Sequence, residues 1–257
     1  MSNARPLFAP SPLQPWSREE IEALLAREKY TYQMIALPHG LTTPGQDRTC
    51  TADLVFPADL TGKTVLDLGC NHGFFCFEAI RRGAARVVGI DHSPDIIRKA
   101  RLLADAIGSA VDFQVRDVNT MALRETFDYI LCLNLLHHLD NPLLSLRNMM
   151  DFARERLVIE AAGLNLFDYF RRLEVVPFFA FLMSFAPVIY VGQVPSKQNG
   201  DPGKLKYYFT QRAMKRIFGQ ASKRFARVES FDSDHKGRYI MVGHRFSAPR
   251  SLPAYAP

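Results

Sequence analysis

The sequence predicts a doubly wound α/β domain on a mostly parallel sheet, and three observations carry that prediction. Segments of strand and helix character alternate from residue 63 to residue 160. A glycine-containing turn separates the first strand of this run from its first helix. An aspartate stands at the end of each of the first three strands. Alternation of this kind implies parallel neighbours joined by right-handed crossovers.

The elements follow in order. Residues 17 to 29 form a helix: Ser17 and Glu20 have capping-box spacing, and Ile21, Leu24 and Leu25 make an apolar stripe. Leu37–Pro57 is rich in Pro, Gly and Thr and reads as loop lying against the main domain. Lys63–Leu68 is a strand, followed by a helix from Gly73 to Arg82 and a second strand, Ala85–Ile90. Ser93 or Asp95 caps a helix to Ile107, Val111–Val115 is a third strand and Phe127–Leu133 a fourth. Pro142, at a first-turn position, opens a helix to Ala153, and Arg156–Glu160 is the fifth strand. Residues 163 to 200 break the rhythm with an aromatic, apolar stretch containing Pro177, Pro187 and Pro195. Thr210 then caps a helix to Phe218, and Phe225–Phe231 and Arg238–Phe246 make a hairpin joined by a polar turn. No internal repeat is visible. The expected organisation is an N-terminal arm and helix over residues 1–57, a main domain over 58–246 with an insertion at 163–200, and a tail at 247–257.

The composition is that of a globular chain: 257 residues, 47% hydrophobic and 23% charged, which excludes collagen-like, coiled-coil and disordered classes. The net charge of +6 and pI of about 9.2 permit contact with RNA, an anionic membrane surface or an acidic substrate without selecting among them. The four cysteines (Cys50, Cys70, Cys76, Cys132) lack CxxC spacing, so neither a disulfide framework nor a zinc site is expected, and a reducing cytoplasm fits. The first 16 residues carry four prolines and no apolar run, which is an arm rather than a signal peptide.

The sharpest motif is VLDLGCNHGFFCFEA, residues 65–79. An apolar strand ends at Asp67, a turn containing Gly69 and Gly73 follows, and a helix begins. Glycine lets the chain turn tightly and approach a ligand, and the helix start presents unpaired N–H groups. Asp91 in VVGIDHSP lies 24 residues further on, where a carboxylate can accept both hydroxyl protons of a ribose. Asp117 in VRDVN ends the third strand and can meet an adenine amino group. All three acids fall at the carboxyl edge of the sheet, where open α/β sheets bind ligands. The spacing is not the G-x-G-x-x-G of a nicotinamide dinucleotide site.

This series, D-L-G-C-N-H-G, G-I-D, R-D-V and FDYILCLNLLHHLDNP, resembles that of class I SAM-dependent methyltransferases over residues 60–160. The resemblance implies a seven-stranded Rossmann-like sheet with an antiparallel last strand, and S-adenosylmethionine (SAM) as cofactor. It implies cofactor contacts from Asp67, Gly69, Cys70, Asn71, Gly73, Phe74, Asp91, His92, Asp117, Val118, Leu133 and Asn134. The family's middle glycine is Asn71 here, and asparagine tolerates the left-handed conformation that the turn needs. More narrowly, YQMIALPHGLTTPGQD upstream and YYFTQRAMKRIF downstream are similar to the bacterial branch containing the tRNA wobble-uridine carboxymethyl-transfer enzyme, which uses a carboxylated SAM. Tyr30 and Gln33 can reach the cofactor from the folded-back N-terminal segment.

Methyl transfer from a sulfonium is an in-line displacement in which the protein aligns the reactants and can remove a proton. No metal is required. His137, in the His137-His138 pair after strand four, is a candidate base because imidazole titrates near neutrality. Glu160, ending strand five, is a candidate base or acceptor ligand. His39, Tyr207 and Tyr208 are candidate acceptor-pocket residues. The uncharged stretch Val175–Val191 is at the lower length limit for a membrane span and reads as a lid over an apolar acceptor, a membrane-touching hairpin, or a dimer or core surface. The basic run 215–227 is a solvated helix face or a phosphate track. The expected function is methylation of oxygen or carbon on a small apolar or amphipathic acceptor. The alternatives are a tRNA wobble-uridine-modifying transferase and a non-catalytic SAM-binding module.

Overall fold

The computed structural model describes residues 16–163, 186–194, 204–220 and 224–246. Its centre is a seven-stranded sheet formed by β1 (Thr64–Leu68), β2 (Arg86–Asp91), β3 (Asp112–Val115), β4 (Phe127–Leu133), β5 (Ala153–Ala162), β8 (Phe225–Asp232) and β9 (Arg238–Arg245). The strand order is β3-β2-β1-β4-β5-β9-β8. β1, β2, β3, β4 and β5 run parallel, and β9 is antiparallel to both β5 and β8. The expected α/β class and reversed last strand are therefore present. Strand order turns back between β1 and β4, and this switch opens a crevice at the carboxyl edge.

Side chains of β1 alternate between two cores, as a strand buried on both faces requires. Val65 joins Phe75, Ala79, Ile97 and Leu103 from α3 (Phe74–Arg81) and α4 (Pro94–Ile107). Leu66 and Leu68 join Leu146 and Met149 from α5 (Pro142–Phe152), and Met214 and Phe218 from α6 (Gln211–Gln220). Each fully buried leucine or isoleucine contributes about 1.5–3 kcal/mol over an exposed one. Caps fall where the sequence places them: Ser93 Oγ accepts from the Ile96 N–H at 3.4 Å, and Asn141 Oδ1 from the Leu144 N–H at 3.2 Å.

The N-terminal helix α1 (Arg18–Arg27) has a complete capping box. The Glu20 N–H donates to Ser17 Oγ (3.2 Å) and the Ser17 N–H to Glu20 Oε2 (2.7 Å). Three readings need correction. Leu37–Pro57 is not all loop, because α2 (Thr49–Val55) lies within it. Asp47 Oδ1 accepts from the Thr49 N–H and hydroxyl just ahead of that helix, while Thr51, Ala52 and Val55 are buried. The fifth strand is longer than Arg156–Glu160, because seven residues from Arg156 to Ala162 pair with β9. The irregular stretch after β5 also contains a strand: β6 (Ile189–Val194) pairs antiparallel with β7 (Lys204–Phe209) in a separate two-stranded sheet, which the prolines obscure. Most of the expected lid, 175–185, lies outside the described residues, as do residues 1–15 and 247–257.

Candidate cofactor and acceptor cavity

The crevice at the switch point is a cavity of about 480 Å³, within the usual range for small-ligand sites. Its floor is built by the turn after β1. Gly69, Asn71 and Gly73 have φ of +75°, +51° and +96°. A Cβ on Gly73 would sit 2.4 Å from Phe113 Cζ, so glycine is required there both by dihedral and by space. Asn71 fills the left-handed position expected of it. The N–H groups of Gly69 and Cys70 donate to Ile90 O at 2.7 and 2.9 Å, which ties the turn to β2.

Strand ends deliver the polar lining. Asp67, Asp91, Asp117, Asn134 and Glu160 all line this one cavity, each within two residues of the end of its strand, β1 to β5. Asp67 is 2% exposed. Burial pushes its carboxyl up to about 7, against a lowering hydrogen bond from Cys76 Sγ at 3.6 Å and with a further rise from Asp91. No positive group pairs with Asp67 among the described residues. Asp91 Oδ2 accepts from the Asn71 N–H (3.3 Å) and Oδ1 from the Ser93 N–H (3.0 Å), which fixes its plane. Asp117 Oδ1 accepts from the Asn119 N–H at 2.9 Å. Asn134, at φ +58°, donates from Nδ2 to the Tyr32 hydroxyl (2.6 Å), while its Oδ1 is buried without a partner among the described residues. Gly69, Asn71, His92, Val118 and Leu133 also line the cavity. Cys70, Gly73 and Phe74 do not. They shape the turn from behind, and the Phe74 N–H donates to Gln33 Oε1 at 3.3 Å.

The N-terminal segment supplies one wall through Tyr32, Gln33 and Arg48. Tyr30 is buried edge-on against His72 and does not line the space. Toward β5, Arg48 (4% exposed) forms an ion pair with Glu160 (0% exposed), with Nη2 3.1 Å from each carboxylate oxygen. The Ser233 hydroxyl also donates to Glu160, and the Arg48 guanidinium sits 5.7 Å from the centre of the Phe75 ring. Phe75 and His235 lie beside Arg48, and Leu135, His138, Leu139, Lys204 and Arg116 also line the cavity.

Four expected site residues fall elsewhere. His39 lies in a 3-10 turn (Pro38–Gly40), where its Nε2 is 2.9 Å from Trp16 O. The Tyr207 hydroxyl donates to Asp140 O at 3.2 Å, and Tyr208 is buried beside Tyr190. His137 is fully buried behind the wall, its ring 4.2 Å from that of His138, and burial depresses its basicity strongly. None of the four lines the cavity. Conversely, Tyr32, Arg48, Phe75, Ser233 and His235 escaped the sequence reading. Arg48 sits in a Pro/Gly/Thr-rich stretch and His235 in a polar turn, where no periodicity marks an inward side chain.

Residues 59–166 match the family model described as a methyltransferase domain. The chain is similar to the tRNA U34 carboxymethyltransferase of Campylobacter hominis, at 33% identity over 92 residues (35% of this chain, 32% of the relative). It is similar to the ubiquinone biosynthesis O-methyltransferase of Xanthomonas oryzae pv. oryzae, at 36% over 86 residues (33% and 36%). The matches thus span about a third of the length of these curated relatives. Among solved structures, the N-terminal domain of EvdMO1 with SAH and D-fucose superposes with a TM-score of 0.63 at 16% identity, covering 90% of this chain and 98% of that one. The magnesium protoporphyrin IX methyltransferase of Synechocystis with bound SAH gives 0.54 at 19%, covering 77% and 81%. These two likenesses show a shared fold. No helix among the described residues is long and apolar enough to cross a membrane.

Proposed function

We propose that this chain binds SAM along the tips of β1, β2 and β3 and transfers its methyl group to oxygen or carbon of a small apolar or amphipathic acceptor seated toward β5. One observation carries the reading: Asp67, Asp91 and Asp117 converge on a single cavity, and the innermost of them is a buried carboxylate without a counter-charge among the described residues. A buried carboxylate of this kind is satisfied by a cation from the ligand, and the methionine ammonium supplies one. Asp91, held by two backbone donors, keeps lone pairs for the ribose hydroxyls. Asp117 meets the adenine amino group, and the buried Asn134 Oδ1 accepts a further ligand donor. The aromatic and leucine part of the lining, Phe75, Leu135 and Leu139, suits an apolar acceptor body, and the O-methyltransferase activity that names the Xanthomonas relative supports an oxygen acceptor. The free thiols of Cys70, Cys76 and Cys132 fit a reducing cytoplasm.

Calorimetry with SAM tests the cofactor half. A labelled-methyl screen against phenols, lipids, polyketides and tRNA tests the acceptor half. Absence of SAM binding refutes the proposal, and binding without label transfer to any pool favours a non-catalytic module. The Campylobacter relative and the exposed basic stripe of α6 (Arg212, Lys215, Arg216) favour a second reading, a tRNA-modifying transferase. That reading requires tRNA binding with a steep salt slope. No binding to tRNA at low salt removes it.

A further inference from the structure

We propose that His235, on the turn between β8 and β9, takes the acceptor's proton during methyl transfer. This assignment rests on the methyl-transfer reading and names its base. The two residues singled out from sequence do not serve that role. Both oxygens of Glu160 face the Arg48 guanidinium and one also receives the Ser233 hydroxyl, so this carboxylate is committed to holding the wall together. His137 does not reach the cavity. His138 does, but it is exposed to solvent.

His235 differs on each count. It lines the cavity, and its Nε2 is buried with no hydrogen-bond partner among the described residues. Its backbone is held at three points: its N–H donates to Ser233 Oγ (3.0 Å), its carbonyl accepts from the Arg238 N–H (3.1 Å), and the neighbouring Asp234 accepts from Thr51 Oγ1 of α2 (2.8 Å). The charged groups around the ring come from four elements: Arg48 ahead of α2, Glu160 on β5, Arg238 on β9 and Asp234 in the turn itself. Burial first, and then Arg48, hold the imidazole below its usual range, so it stands neutral at neutral pH with a lone pair to offer; Glu160 acts in the opposite direction and stabilises the cation once it forms. In the step, the acceptor hydroxyl gives its proton to His235 Nε2 while its oxygen forms a bond to the methyl carbon. The carbon–sulfur bond breaks, its electron pair stays on sulfur, and the neutral thioether leaves. The imidazolium then returns its proton to solvent.

The test compares H235Q with the parent on two phenol probes, catechol and 4-nitrophenol, the second already ionised in mildly alkaline buffer. Catechol turnover is expected to fall about a hundredfold or more, the usual contribution of a general base. The loss with 4-nitrophenol is expected to be several-fold at most, with SAM affinity unchanged within twofold. Equal losses on both probes, or catechol turnover within threefold of the parent, overturn the assignment. Diethyl pyrocarbonate, read by mass spectrometry, gives an answer independent of any acceptor. His235 is expected to be modified after the exposed His39, His92 and His138; a His235 still unmodified once those three have fully reacted overturns the assignment. A parent protein that does not bind SAM overturns the underlying reading as well, whereas SAM binding with an insensitive H235Q overturns this assignment only.

Discussion

Replacing Arg48 by methionine isolates the energetic consequence of the ion pair beneath the acceptor end. Arg48 and Glu160 are 4% and 0% exposed. R48M leaves the Glu160 carboxylate buried with only the Ser233 hydroxyl. Removing one partner of such a pair costs about 3–5 kcal/mol. In a chain of this size each kcal/mol moves Tm by about 2–4 °C, so R48M is expected to melt about 6–20 °C below the parent by far-UV circular dichroism. Replacing both charges at once removes the uncompensated ion, and such double replacements are often near neutral. R48M/E160L is therefore expected to recover most of the loss, with a coupling energy of at least about 2 kcal/mol in the cycle. A shift under about 3 °C for R48M, or a double variant as unstable as the sum of the singles, refutes the view that these charges depend on one another.

Three further outcomes follow. Asp67 holds its proton to about pH 7 in the folded chain and to about 4 when unfolded. The native state therefore binds more protons in that window, and stability of the unliganded protein falls as pH rises through it. A ligand ammonium reverses the shift, so SAM binding at pH 6 is expected to release protons. Calorimetry in buffers of different ionisation enthalpy measures this, and the release must vanish in D67N. Asp91→Ala removes charge-assisted bonds of about 1.5–3 kcal/mol each and is expected to weaken SAM binding about a hundredfold or more, with Tm also lowered because the Asn71 and Ser93 N–H groups lose their acceptor; unaltered affinity refutes the ribose assignment. Gly73→Ala combines φ of +96° with a Cβ 2.4 Å from Phe113 Cζ and is expected to destabilise by about 2 kcal/mol or more in urea unfolding, whereas Gly108→Ala, with open space around it, is expected to lose less.

The sheet was legible in the sequence because its strands are buried on both faces and punctuated by glycine and proline, so local pattern and global topology agree. The acids at strand tips were legible for the same reason: once a strand is located, its carboxyl end is located too. The acceptor wall was not. Arg48 meets Glu160 across 112 positions and Thr51 meets Asp234 across 183, and pairings of that range leave no trace in any short window. α2 was missed because tertiary burial of Thr51, Ala52 and Val55 outweighs a composition that reads as loop. His39, Tyr207 and Tyr208 were attractive by residue type, yet each is oriented by a contact with a residue distant in sequence, which no short pattern announces.

The bond between Thr51 and Asp234 has an implication for how the molecule comes into being. A growing chain possesses the glycine turn and all three aspartates by residue 117. The opposite side of the crevice waits for the turn around Asp234, which closes against a helix made 183 positions earlier. The three strand-tip acids are thus made early, and the wall that carries Arg48 and Glu160 is completed late.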